Sequence, residues 1–178
     1  MNTYTDSTFN GQRVHGFYPP QHRAKNLVPD KFTDWVSQEI QEWESRGIII
    51  RETTQIRAEV ICPLSVEPNK PRLIYDARYI NLFFKDKKFS MDGVGKWPEV
   101  GWRGMYMFSV DHKSGYHHVP LHYSAWKFFG LKWEGIVYMC TTLNFGWKLA
   151  PFIYHTLTEA CIRICEGINS YPCPGLAG

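Results

Sequence analysis

Asp111 ends a short apolar run, and a lysine, a glycine, a tyrosine and two histidines follow it within FSVDHKSGYHHVPL, residues 108–121. A carboxylate at a strand end can hold a divalent cation if other carboxylates and backbone oxygens converge on it. Aspartate at such a place is also a common turn-former or cap, and residue type alone leaves both readings open. Gly115 lets another group come close to the backbone. Tyr116 beside it offers a flat face to a sugar or a base. His117 and His118 are adjacent and diverge, which speaks against a histidine metal cluster. Lys70 and Arg72 form a second candidate group, near the turn EPNKP.

These residues need elements to carry them. TDWVSQEIQEWESRG, 33–47, has the spacing of an amphipathic helix, with Trp35, Val36, Ile40 and Trp43 on one face. Thr33 or Asp34 is placed to cap it and Gly47 to end it. IIIRE starts a strand, and EVICPLSV and RLIYDARYI read as a hairpin around EPNKP. MYMFSVD, 105–111, reads as a short strand, and WKFFGLKW and IVYMCTTL as a second hairpin around Glu134-Gly135. From Pro151 to Glu166 the residues Ile153, Leu157, Cys161 and Ile164 recur at helical spacing, and Gly167 can stop the helix. The order helix, hairpin, strand, hairpin, helix is an α+β pattern, with an antiparallel sheet and helices on one face. Residues 1–30 read as an extended polar arm, 31–167 as the folded unit and 168–178 as a loop or disordered tail.

Composition narrows the function classes. Of 178 residues 44% are hydrophobic and 16% aromatic, so a core is possible and wholesale disorder is excluded. Net charge is only +3, too small alone to announce a polyanion binder. Between Lys85 and Lys148, however, nine Lys/Arg face five Asp/Glu, an excess that suits one. The five cysteines lack a CxxC pair and read as reduced thiols, mostly in the core. No apolar run is long enough for a membrane span and no signal core is evident, which points to the cytoplasm or nucleus.

Three blocks, KPRLIYDARYIN, MFSVDHKSGYHHVPL and LNFGWKLAPFIYHTL, occur in this order. Together with WESRGIIIRE they resemble the fingers and first palm portion of a reverse transcriptase, over roughly residues 38–165. The resemblance is strongest to retrotransposon enzymes of the long-terminal-repeat and tyrosine-recombinase types. It implies a right-hand polymerase fold with fingers and an incomplete palm, and an RNA-directed DNA polymerase activity in the parent family. Asp111 matches the first palm aspartate, the ligand of catalytic Mg²⁺ or Mn²⁺ in a two-metal displacement. Lys70 and Arg72 match basic residues that hold the dNTP triphosphate, Arg as a planar fork and Lys as a compact charge. Tyr116 matches the residue under the sugar. Phe145, Gly146, Trp147 and Lys148 match the loop near incoming nucleotide and template. Asp76, Arg78 and Asn81 fit the fingers motif as a structural network. RNA template, RNA/DNA primer–template hybrid and dNTP are the partners implied.

The departures set the expected activity. The family places further carboxylates on a Tyr-x-Asp-Asp hairpin, and no Asp follows Asp111 here. Glu134, Glu159 and Glu166 fall at a turn and on a helix, not where a substitute is needed. Asn144 stands where the family usually has Pro, and His112 where it has an apolar residue. One carboxylate positions Mg²⁺ poorly. The expectation is a truncated polymerase domain, inactive alone. The alternative is a co-opted non-catalytic module that binds RNA or hybrid.

Overall fold

Pro63 divides what the sequence reads as one strand. A proline has no N–H for the ladder, so β5 (Val60–Ile61) and β6 (Leu64–Val66) go to different sheets. The computed structural model describes residues 7–9, 12–14, 19–90, 104 and 111–168. In chain order the other elements are β1 (Ser7–Phe9), β2 (Gln12–Val14), β3 (His22–Arg23), α1 (Thr33–Ser45), β4 (Ile49–Arg51), β7 (Leu73–Tyr75), α2 (Arg78–Asn81), β8 (Gly130–Trp133), β9 (Ile136–Cys140) and α3 (Ala150–Ile168). Single 3-10 segments cover Gly115–His118 and Tyr123–Phe128.

The content is α+β, but the main sheet is mixed where an antiparallel one was expected. Its order is β3-β5-β8-β9-β4. β3 with β5 and β5 with β8 are parallel, while β8–β9 and β9–β4 are antiparallel. Within this sheet β8–β9 is a tight hairpin, turning through Glu134 and Gly135 at φ 46° and 84°, the backbone of a primed two-residue turn. The parallel neighbours come from far along the chain, so no turn fixes their direction. β6 and β7 form a separate ribbon, Leu64 opposite Tyr75, with EPNKP at its tip.

Other boundaries shift for local reasons. RLIYDARYI is strand only to Tyr75 and then becomes α2. Trp126–Phe128 of WKFFGLKW are 3-10 helix, and the strand begins at Gly130. Of the strand expected over 105–111, residues 105–110 lie outside the described residues, as do 169–178 of the tail.

α1 matches its periodicity and buries Val36 and Ile40. Neither Thr33 nor Asp34 caps it: the chain enters through a 3-10 turn, Asp30–Phe32, and the cap position is Phe32 without a side-chain bond. At its end Ile48 N–H donates to Trp43 O at 2.9 Å and Gly47 N–H to Glu44 O at 3.0 Å, which is a Schellman closure.

The core lies between α1, the sheet and α2. Ile49, Val60, Leu64, Ile80, Leu131 and Leu143 are all but inaccessible, each worth about 1.5–3 kcal/mol of burial. Cys62 and Cys140 belong to it, and burial pushes their thiols up to about 11 and 12, which makes both unreactive. Cys161 is exposed instead, with Leu157 and Ile164 on the same stripe of α3. Among the described residues no helix is long and apolar enough to cross a membrane.

Candidate nucleic-acid interface

The loop between β9 and α3 throws successive aromatic residues in opposite directions. Gly146 has φ 97°, which an L side chain rarely adopts, and a Cβ built there would meet Tyr75 O at 2.7 Å. Asn81, the last residue of α2, pins the turn: its Nδ2 donates to Gly146 O at 2.8 Å and its Oδ1 accepts from Lys148 N–H at 2.9 Å. Phe145 is thereby pushed outward, 52% exposed, and Trp147 inward, 7% exposed. The Trp147 ring sits edge-on to Phe84 and Phe129 at 5.2 and 5.0 Å. Its side chain is a core piece. Lys148 Nζ pairs with Asp86 at 2.9 Å.

Phe145 meets Tyr116, with ring centroids 4.6 Å apart and tilted by 37°. Tyr116 in turn is edge-on to Tyr154 of α3 at 5.2 Å. A Cβ on Gly115 would strike the Tyr154 ring, so the group that needs this glycine is an internal side chain. Tyr154 hydroxyl also hydrogen-bonds His112 Nδ1. Burial, and then Tyr154, raise the Tyr116 phenol above its ordinary value, so it stays protonated. Asp111 stands exposed at the end of this chain of contacts.

His117 is wedged between Trp43 of α1, at 5.2 Å, and Phe145, at 5.8 Å, with both rings edge-on. Its Nδ1 has no partner among the described residues. Burial pushes its pKa down to about 4, helped by the positive charges of Arg46 and His118. His118 diverges from it, toward Lys113 O at 3.1 Å.

Lys70 and Arg72 are exposed at the tip of the β6–β7 ribbon and make no ion pair among the described residues. They are not in contact with the aromatic group, but the ribbon connects them to it. Arg72 is three residues from Tyr75, about 10 Å along a strand, and Tyr75 O abuts Gly146. Asp76 and Arg78 form a bidentate pair with contacts of 2.6–2.9 Å, a local brace at the start of α2.

A catalytic metal does not fit the donors described. Among the described residues no group of three His, Cys, Asp or Glu converges, at Asp111 or anywhere else. A concavity of about 1250 Å³, bounded by Ile56, Arg57, Phe83, Phe128 and Phe152, includes none of the eight predicted residues in its lining, though Phe84 and Asp86, the partners of Trp147 and Lys148, border it. The basic ribbon, linked through Tyr75 and Gly146 to exposed Phe145 and half-buried Tyr116, is an open surface and not an enclosed cavity.

No protein-family model matches the chain. No curated protein matches it either. Solved structures do. A foamy viral protease–reverse transcriptase in complex with double-stranded DNA superposes with a TM-score of 0.70 at 18% identity, covering 81% of this chain and 30% of that one. The same kind of enzyme with an RNA/DNA hybrid gives 0.66 at 16%, over 93% and 21%. The native prototype foamy virus enzyme gives 0.67 at 17%, over 85% and 20%. This is a reverse-transcriptase-like fold. The chain spans between 20% and 30% of the length of these enzymes. Within the reverse-transcriptase-like fold, sequence reasoning missed Tyr154 and His117. Tyr154 lies one position from the apolar stripe of its helix, and only its nonlocal contacts mark it. His117 carries no signal beyond its place in the motif.

Proposed function

We propose that this chain is the fingers and first palm portion of a retrotransposon-type reverse transcriptase, and that its own activity is to hold nucleic acid. The RNA template or RNA/DNA hybrid lies over exposed Phe145, backed by half-buried Tyr116, with Lys70 and Arg72 on phosphate. One observation carries this reading: Gly146 joins the foot of the basic ribbon to the aromatic pair through its contact with Tyr75. Bases stack on aromatic faces whatever their identity, and unpaired cations release counter-ions when they meet phosphates. The neighbours bound to double-stranded DNA and to RNA/DNA hybrid support the same class of partner.

Polymerisation is not proposed for these 178 residues alone. Asp111 matches the first palm aspartate, and no Asp follows it. The decisive experiment has two arms. Anisotropy of a labelled RNA/DNA hybrid across a salt series should show salt-dependent binding, weakened across sequences by Lys70→Ala and Arg72→Ala. Weak, salt-independent binding overturns the reading. Labelled dNTP should not be incorporated on a primed RNA template with Mg²⁺ or Mn²⁺. Incorporation that Asp111→Asn abolishes would show that the chain is a polymerase as it stands.

A further inference from the structure

The described surface neutralises many of its cations. Arg46 meets Glu42, Arg51 meets Glu44, Arg78 meets Asp76, Lys127 meets Glu59 and Lys148 meets Asp86. Three cations from different elements go unpaired among the described residues and line one concavity. Arg23 on β3, Lys25 just beyond it and Lys132 on β8 border a pocket of about 360 Å³.

The walls of this pocket are fixed. Asn26 Nδ2 donates to Lys132 O at 2.7 Å and its Oδ1 accepts from Leu64 N–H at 3.0 Å. Ala24 N–H donates to Ile61 O at 3.2 Å. β3 and β8 flank β5 on opposite sides, with Arg23 level with Ile61 and Gly130, so the backbone of Lys132, two residues farther on, stands about 12 Å from that of Arg23. Arg23, Lys25 and Lys132 all line the concavity between them. Glu134 also lines the pocket, but its Oε1 already accepts from the Ser37 hydroxyl at 3.0 Å. The balance is three positive charges to one negative, and gathered like charges repel until an anion joins them.

We propose that this pocket is a phosphate-binding site. An Arg fork and two ammonium groups on the lining of one pocket can each donate to a different oxygen of a tetrahedral oxyanion, which offers more acceptors than a planar carboxylate. The phosphate comes either from a nucleic-acid strand or from a free phosphate. The pocket is separate from the aromatic interface. Ser37 marks its end of α1 and Trp43, which touches His117, marks the other, six residues or about 9 Å along the helix axis. It can therefore hold even if the ribbon and the aromatic pair bind nothing.

Titration of the whole chain with inorganic phosphate, against chloride at equal ionic strength, tests this through backbone amide shifts. Saturable shifts centred on residues 23–26 and 132–135 are expected. Combined Arg23→Gln, Lys25→Gln and Lys132→Gln should abolish them, and Glu134→Gln should tighten binding by about threefold. A labelled single-stranded oligonucleotide separates the two sources. If a strand uses the pocket, the triple variant lowers the slope of log K against log salt by about 2, whereas Lys70→Ala with Arg72→Ala reports only on the ribbon. An unchanged slope with saturable phosphate shifts assigns the pocket to free phosphate. Linear or absent phosphate shifts together with an unchanged slope overturn the proposal. With a strand in the pocket, the single variants Arg23→Gln and Lys132→Gln, both at exposed positions, should each lower the slope by about 0.7, so a misfolded triple variant cannot shield the proposal.

Discussion

Asn81 holds the Gly146 turn from both sides, donating to Gly146 O at 2.8 Å and accepting from Lys148 N–H at 2.9 Å. One side chain at the end of α2 thus sets the direction of Phe145 and Trp147, which lie on another part of the chain. Asn81→Ala removes both bonds and leaves two backbone groups to find new partners. The expected loss is about 1–2 kcal/mol, read as a lower urea midpoint with unchanged m. Asn81→Asp keeps only the acceptor and should fall between wild type and Ala. Equal stability of all three proteins would show that the clamp contributes nothing.

Gly146→Ala tests the same turn from within. The backbone at φ 97° is strained for alanine, and the new Cβ would sit 2.7 Å from Tyr75 O. Strain of this kind costs about 1–3 kcal/mol, and a carbonyl belonging to a strand has little room to yield. Thermal melts should show the variant clearly below wild type. A melting temperature within a degree would mean that the loop relaxes freely.

The parts of this fold visible in the sequence are those fixed by near neighbours. α1 follows from the spacing of Val36 and Ile40, and the β8–β9 hairpin from Glu134-Gly135 between two apolar runs. Pro63 was in plain view, but a proline in an apolar run does not say whether a strand bends or changes sheet. The parallel pairing of Ile61 with Gly130 is a tertiary choice that no local pattern encodes. At the candidate interface, the motif brought Tyr116, Phe145 and Gly146 to notice together, and the rings of Tyr116 and Phe145 do meet. That Trp147 points inward depends on Asn81, more than 60 positions upstream. The stripe of α3 shows which face is apolar; it does not show that Leu157 and Ile164 are exposed.

His117 should make stability depend on pH. Its pKa is about 4 when folded against an ordinary 6.5. Between those values the unfolded chain binds more protons, so unfolding free energy rises with pH in that window and falls as pH drops from 6.5 toward 4. Discounted for partial exposure, the effect is about 1–2 kcal/mol. His117→Phe keeps a ring against Trp43 and Phe145 and removes the proton. The stability difference between wild type and variant, measured in urea at pH 7 and pH 4, should shift by that amount in favour of the variant at the lower pH. A constant difference would show that His117 is not held neutral.

Phe145 and Trp147 are two residues apart and should fail in opposite ways. Trp147 is 7% exposed among Phe84 and Phe129, so Trp147→Ala should cost about 3–5 kcal/mol of stability. Phe145 is 52% exposed, and its removal should leave the fold within about 1 kcal/mol of wild type. If a base stacks on it, Phe145→Ala should instead weaken hybrid binding by about 1–3 kcal/mol. Denaturation and anisotropy on the same two proteins separate the roles. A stable Phe145→Ala protein with undiminished binding would leave the ribbon cations as the whole of the interaction, and its salt slope would then be unchanged.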